Sequence, residues 1–139
     1  MAIFKFRIIA KNEDDFYRDI VIHSEKTFHD FHEIIVKSID SLTNDNSSFY
    51  LCNEKWHKIS QIAVKEMLPD NNIQPELKDE NRLIDFVRFP NQKLIYIYHK
   101  HNITFYIRLN EILSMCQDNA ETRCVSSKGH IHISNKAIC

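Results

Sequence analysis

The residues most able to do chemistry cluster in "CVSSKGHIHISNKAIC", from Cys124 to Cys139. Zinc takes about four ligands, most often Cys and His. Cys124, His130, His132 and Cys139 supply four donors of those types. In an extended segment His130 and His132 would point the same way, because strand side chains repeat every second residue. Yet C-x5-H-x-H-x6-C is no known zinc spacing, and structural sites commonly contain closely paired ligands. A tail rich in His, Asn and Lys produces the same grouping by composition alone. No cofactor is therefore expected: the segment reads as a divergent tail, and zinc is the minority alternative that these ligand types would suit. A Cys124–Cys139 disulfide is the redox alternative, which a reducing cytoplasm disfavours.

Elsewhere the reactive side chains stand in poor frames. Cys52 lies near Trp56 and His57, but a small buried residue at a strand end is its ordinary reading. His99 and His101 flank Lys100 in a turn, where histidines are usually solvated. Glu13, Asp14 and Asp15 lack the alternating spacing of a calcium loop. One glycine in the chain, Gly129, rules out a Gly-rich phosphate loop. Neither G-x-S-x-G nor H-E-x-x-H occurs. No catalytic residue is assigned.

The elements that must position these groups follow from bulk numbers and periodicity. A chain of 139 residues can bury a core without disulfides or a metal. With 18 Lys and Arg against 19 Asp and Glu, the net charge is −1, which argues against a dedicated nucleic-acid binder. No apolar run approaches the roughly 18 residues of a membrane span. The start "MAIFKFRIIA" interrupts its apolar run with Lys5 and Arg7, unlike a signal peptide, so a cytoplasmic location with reduced thiols is expected.

"IFKFRII" alternates and reads as a strand with one wet face; "YRDIVIH" alternates again, giving a hairpin across a longer loop "KNEDDF". In "TFHDFHEIIVKSID" the period changes, and Phe28, Phe31, Ile34, Ile35 and Ile39 define a helix face, with Thr27 as N-cap and Asp30 at the positive end of the dipole. "SFYLC" is a short strand; "NEKWHKISQI" is mixed, with Ile59 and Ile62 expected to touch the core. "VKEML" is at most one helical turn before Pro69, and a polar loop runs to Asp79. "NRLIDFV" makes a short helical turn burying Leu83 and Phe86. "KLIYIYH" is apolar in both phases, as a mid-sheet strand must be, and "ITFYIRL" is its hairpin partner.

The expected fold is a single α+β domain over residues 1–113, β-β-α-β-short helix-β-β, with a mixed β-sheet packed on one main helix in a β-grasp-like arrangement. The first strand and "KLIYIY" are placed as central neighbours. Residues 114–139 read as a C-terminal tail, extended or loosely docked.

Taken in order, "FKFRIIAKNEDDFYRDIVI", "TFHDFHEIIVKSI", "SFYLCNEKWHK" and "RLIDF…KLIYIYHKHNITFYIRLNEI" resemble the plasmid pRiA4b ORF-3-like family, in its short bacterial form, across nearly the whole chain. The resemblance implies one α+β domain and brings no settled activity. Broader members carry a segment resembling Y-x-Y-D-x-G-D-x-W; here Tyr96 and Tyr98 match, Phe105 falls near the tryptophan, and the acidic turn is missing. Cys124, Ser127 and Gly129 match a terminal C-x-x-S-x-G pattern of short-form relatives, while "HIHISNKAIC" departs from it.

Three functional readings remain. The first is a non-enzymatic protein-interaction or binding module, with Tyr50, Trp56 and Tyr106 as aromatics that an exposed sheet face could present. The second is nucleic-acid association in a mobile-element context, which needs a basic patch from residues such as Arg7, Arg18, Lys93 and Arg108. The third is a metal-dependent or small-molecule enzyme. The protein partner and the oligomeric state are left open.

Overall fold

A computed structural model describes residues 2–62, 81–114 and 121–131. Among them, strands β1 (Ala2–Ala10), β2 (Glu13–His23), β3 (Ser47–Cys52), β4 (Lys58–Ile62), β5 (Lys93–Tyr98), β6 (Ile103–Ser114) and β7 (Arg123–Lys128) form one sheet, ordered β4-β3-β5-β6-β1-β2-β7. Helix α1 (Phe28–Ser38) packs on one face. The result is a mostly-sheet α+β domain.

Every strand pair is antiparallel, not mixed, and the strand order is not the β-grasp-like one expected. β1 pairs with β6 rather than β5. The cause is register. Phe105, Ile107 and Leu109 stand opposite Ala10, Ile8 and Phe6, so β6 joins the core-facing row of β1. β5, apolar on both sides, then fits between β6 and β3. β2 begins at Glu13 after a two-residue turn, so the "KNEDDF" segment is mostly strand rather than loop. Asn12 takes the positive φ of 75° there, a conformation Asn tolerates well.

Helix α1 is set by its cap. Thr27 Oγ1 accepts from the Asp30 amide at 3.0 Å, and the Asp30 carboxylate accepts from the Thr27 amide at 3.1 Å. This reciprocal pair is a capping box with Asp in place of Glu. The helix lowers Phe28, Phe31 and Ile35 onto the sheet. Phe31 meets Phe6 with ring centroids 4.7 Å apart and stacks on Phe49 at 5.6 Å.

One buried helix residue was not anticipated. His32 Nε2 lies 2.8 Å from Asn44 Oδ1, and Nδ1 lies 2.7 Å from the Tyr96 hydroxyl, which reaches Ser47 Oγ at 3.0 Å. Burial lowers the His32 pKa and raises that of the Tyr96 phenol. Ile62 is buried, but Ile59 is 68% exposed, because β4 is an edge strand with a bulge opposite Cys52. Leu83 is buried in a 3₁₀ turn, Leu83–Asp85, with Phe86 partly buried beside it. "VKEML" and the polar loop after it lie outside the described residues.

Part of the segment placed beyond residue 113 is in the sheet. β7 pairs with β2, and Ile131 reaches the core. Gly129 takes φ 81°, and a Cβ there would overlap the Asp15 carbonyl oxygen. Among the described residues no helix is long and apolar enough to cross a membrane.

Candidate functional site

The face of the sheet away from α1 carries an ordered set of rings and cations. Neighbouring strands lie about 4.8 Å apart, so residues in register form rows across the sheet. One row runs Tyr50, Ile95, Tyr106, Ile9, Tyr17 and Lys128. The next row on the same face runs Lys93, Arg108, Arg7, Asp19 and Ser126.

Trp56 reaches this face from the β3–β4 turn. Asn53 shapes the turn: its Oδ1 accepts from the amides of Lys55, at 2.8 Å, and His57, at 3.0 Å. Such side-chain-to-backbone bonds are the usual means by which Asn makes a turn. The Trp56 amide donates to the Asn53 carbonyl at 3.0 Å, and Trp56 itself takes φ 66°. A left-handed conformation costs a bulky L-residue roughly 1–2 kcal/mol. The conformation lays the Trp56 ring on Tyr106, with centroids 4.5 Å apart and planes 24° from parallel.

Three of the four rings on this face, Trp56, Tyr17 and Tyr50, have a cation beside them. Lys93 Nζ is 5.1 Å from the Trp56 ring centroid and donates to the Glu54 carbonyl at 2.8 Å. The Arg7 guanidinium lies 4.2 Å over Tyr17, and Lys58 Nζ lies 4.4 Å over Tyr50. Arg7 also holds Asp19 through two bonds of 2.7 Å, and this raises the Arg7 pKa further. Arg108 is exposed and donates to Asn110 Oδ1 at 2.9 Å. Neither Arg108 nor Lys93 pairs with a carboxylate among the described residues. Arg7, Ile9, Trp56, Tyr106 and Arg108 enclose a cleft of about 100 Å³.

The structure thus brings Tyr50, Trp56 and Tyr106 onto one face, each half-buried rather than sunk in the core. It separates the four suggested cations. Arg7, Lys93 and Arg108 share the open face, whereas Arg18 is 6% exposed on the helix side. There Arg18 donates to the carbonyls of Ser38, Tyr17, Lys128 and Gly129 at 2.8–2.9 Å, which spends its donors on backbone. Tyr17 and Lys58 complete the surface and were not singled out by the sequence; strand register, which sets the rows, has no local signal.

The tail quartet is only partly described. Cys124 faces the helix side of β7 against the core, His130 is exposed, and His132 and Cys139 lie outside the described residues. Burial pushes the Cys52 thiol up, with Lys93 opposing, so it is not primed as a nucleophile. Two wider hollows, of about 380 and 350 Å³, open at strand ends and are lined mainly by turn residues such as Asn12, Asn102, Asn53 and Asn91.

Among the described residues, one α-helix on an antiparallel sheet with a ring-and-cation open face is the class of protein this geometry defines. The chain belongs to the plasmid pRiA4b ORF-3-like protein family, whose model matches residues 2–133. The fold is also similar to that of a solved structure titled protein of unknown function MM3350 from Methanosarcina mazei Go1. The TM-score is 0.70 at 20% identity, over 91% of this chain and 68% of that one. No curated protein matches the sequence. Tyr96, Tyr98 and Phe105, which carried part of the family resemblance, are all fully buried on the helix side.

Proposed function

We propose that the protein is a non-enzymatic binding module and that the open sheet face around Trp56 is its docking surface. One observation carries this reading: Trp56, the only tryptophan, is held at φ 66° on the exposed side of the sheet. Gly or Asn would occupy that turn position with less strain. Keeping a large ring there favours a ligand contact over local stability, as backbone strain often does at binding sites. Aromatic residues and Arg are also the side chains most enriched in binding hot spots.

The test is site-specific photocrosslinking in native extract. A photoreactive residue at Gln61, exposed beside Tyr50 at one end of the ring row, or at Ser126, exposed at the far end of the adjoining cation row, is expected to capture a specific partner. The same residue at Glu33, on the outer side of α1, is expected to capture none. Equal labelling from both faces, or none from either, would reject the open face as the docking surface.

A further inference from the structure

The two rows on the open face differ in chemistry and run side by side. Lys93, Arg108 and Arg7 stand directly opposite one another on β5, β6 and β1. Like charges in such positions destabilise a sheet. Asp19 balances Arg7, but no carboxylate among the described residues balances Lys93 or Arg108. An external anion would.

The neighbouring row, about 6.6 Å along the strands, offers flat surfaces instead. Two of them are two-layer stacks, Trp56 on Tyr106 and the Arg7 guanidinium on Tyr17, and both border the same cleft. A ligand that matches both rows has a repeating anionic backbone with planar groups hanging from one side. Single-stranded nucleic acid has that layout, and its bases stack on aromatic rings and guanidinium planes. A duplex hides its base faces, and an acidic peptide would use the cations but leave the stacks idle. The net charge of −1 is an average over both faces and leaves this local pattern intact.

We infer that the open face binds single-stranded nucleic acid lying across the strands. Phosphates meet Lys93 and Arg108, and bases stack on Trp56 over Tyr106 and on Arg7 over Tyr17. This inference rests on the open face being the docking surface.

Trp56 reports on its own site, because no other tryptophan contributes fluorescence. Oligothymidylate is expected to quench it. With two phosphate contacts, log affinity should fall against log salt with a slope of about −1.4, and Arg108→Gln should reduce that slope by about 0.7. Lys37→Gln on α1 should leave the slope unchanged. Tyr106→Leu, checked for folding by its thermal midpoint, should weaken binding about tenfold, as loss of one stacked base does.

Oligoglutamate that quenches equally, with the same salt slope, would make the occupant an acidic protein segment and overturn the inference. Duplex DNA bound as tightly as the single strand would overturn the stacking claim. No quenching by any of the three, with partner crosslinks retained at Gln61 and Ser126, would end the nucleic-acid inference and leave the binding module standing. Loss of both signals would end both.

Discussion

The two faces of the sheet are built from similar residue types and use them in opposite ways. Under α1, rings mostly meet rings: Phe6, Phe31, Phe49 and Tyr96 form a continuous cluster, and Arg18, the buried cation among the described residues, lies 4.4 Å over Phe16 with its donors given to four carbonyls. On the open side Arg7, Lys58 and Lys93 lie beside Tyr17, Tyr50 and Trp56, and among the described residues Lys93 and Arg108 pair with no carboxylate. Apart from His29 Nδ1, the buried polar side chains of the described helix side are satisfied internally, so they hold the fold together. On the open side the lack of a carboxylate partner for Lys93 and Arg108 among the described residues is what the proposed phosphate contacts rest on. Substitutions should therefore divide between stability and binding according to face.

The largest effect should come from the helix side. Phe31→Ala removes a fully buried ring and should cost about 3–5 kcal/mol in urea unfolding. A cost under about 1 kcal/mol would mean that α1 does not seal the core as described.

Arg18→Leu should come next, at about 3 kcal/mol, since it strips four partly buried carbonyls of a charged donor that is itself buried. Amide exchange in β7 should quicken, because Arg18 ties Lys128 and Gly129 to β2. Arg108→Gln, on the other face, should stay within about 0.5 kcal/mol. Equal costs for the two arginines would erase the contrast between the faces.

His32 adds a pH dependence that belongs to the helix side. Its folded pKa lies below the ordinary 6.5, chiefly through burial, while the hydrogen bond to Asn44 opposes the shift. The unfolded chain therefore takes the proton first as pH falls. The stability from neutral His32 is complete above the unfolded pKa and is lost as pH drops through it toward the folded value. Unfolding midpoints should decline from about pH 7.5 to about pH 5, and His32→Gln should flatten that decline. An unchanged decline in the variant would remove His32 as its source.

The smallest effect on stability should come from Trp56→Gly. Relief of the left-handed strain, about 1 kcal/mol, roughly offsets the lost stacking on Tyr106. Partner capture at the open face should nevertheless disappear. A loss of several kcal/mol would instead make Trp56 a structural residue.

The parts of this architecture visible in the chain are those with a local period or a local cap. The α1 face from Phe28 to Ile35, the Thr27–Asp30 cap and the two-phase apolar run of β5 fall in this group. β4 and β7 were not, because "KISQI" and "RCVSSK" lie at the sheet's edges and have little buried surface to impose an alternation. Trp56 and Tyr106 could be named only as aromatics for a sheet face, with core burial the ordinary expectation, and not as a stack, since a turn and a strand 50 positions apart must meet to make it.

Residue types and local periodicity were enough to specify one α+β domain with a helix-covered sheet, because burying an apolar stripe is a requirement each segment states on its own. Tertiary pairing decided the rest. Which strand lies beside β1, which arginine is entombed and which is offered to solvent, and whether rings and cations fall into adjoining rows all depend on register between distant strands. A shift of one residue would turn every one of those side chains to the other face.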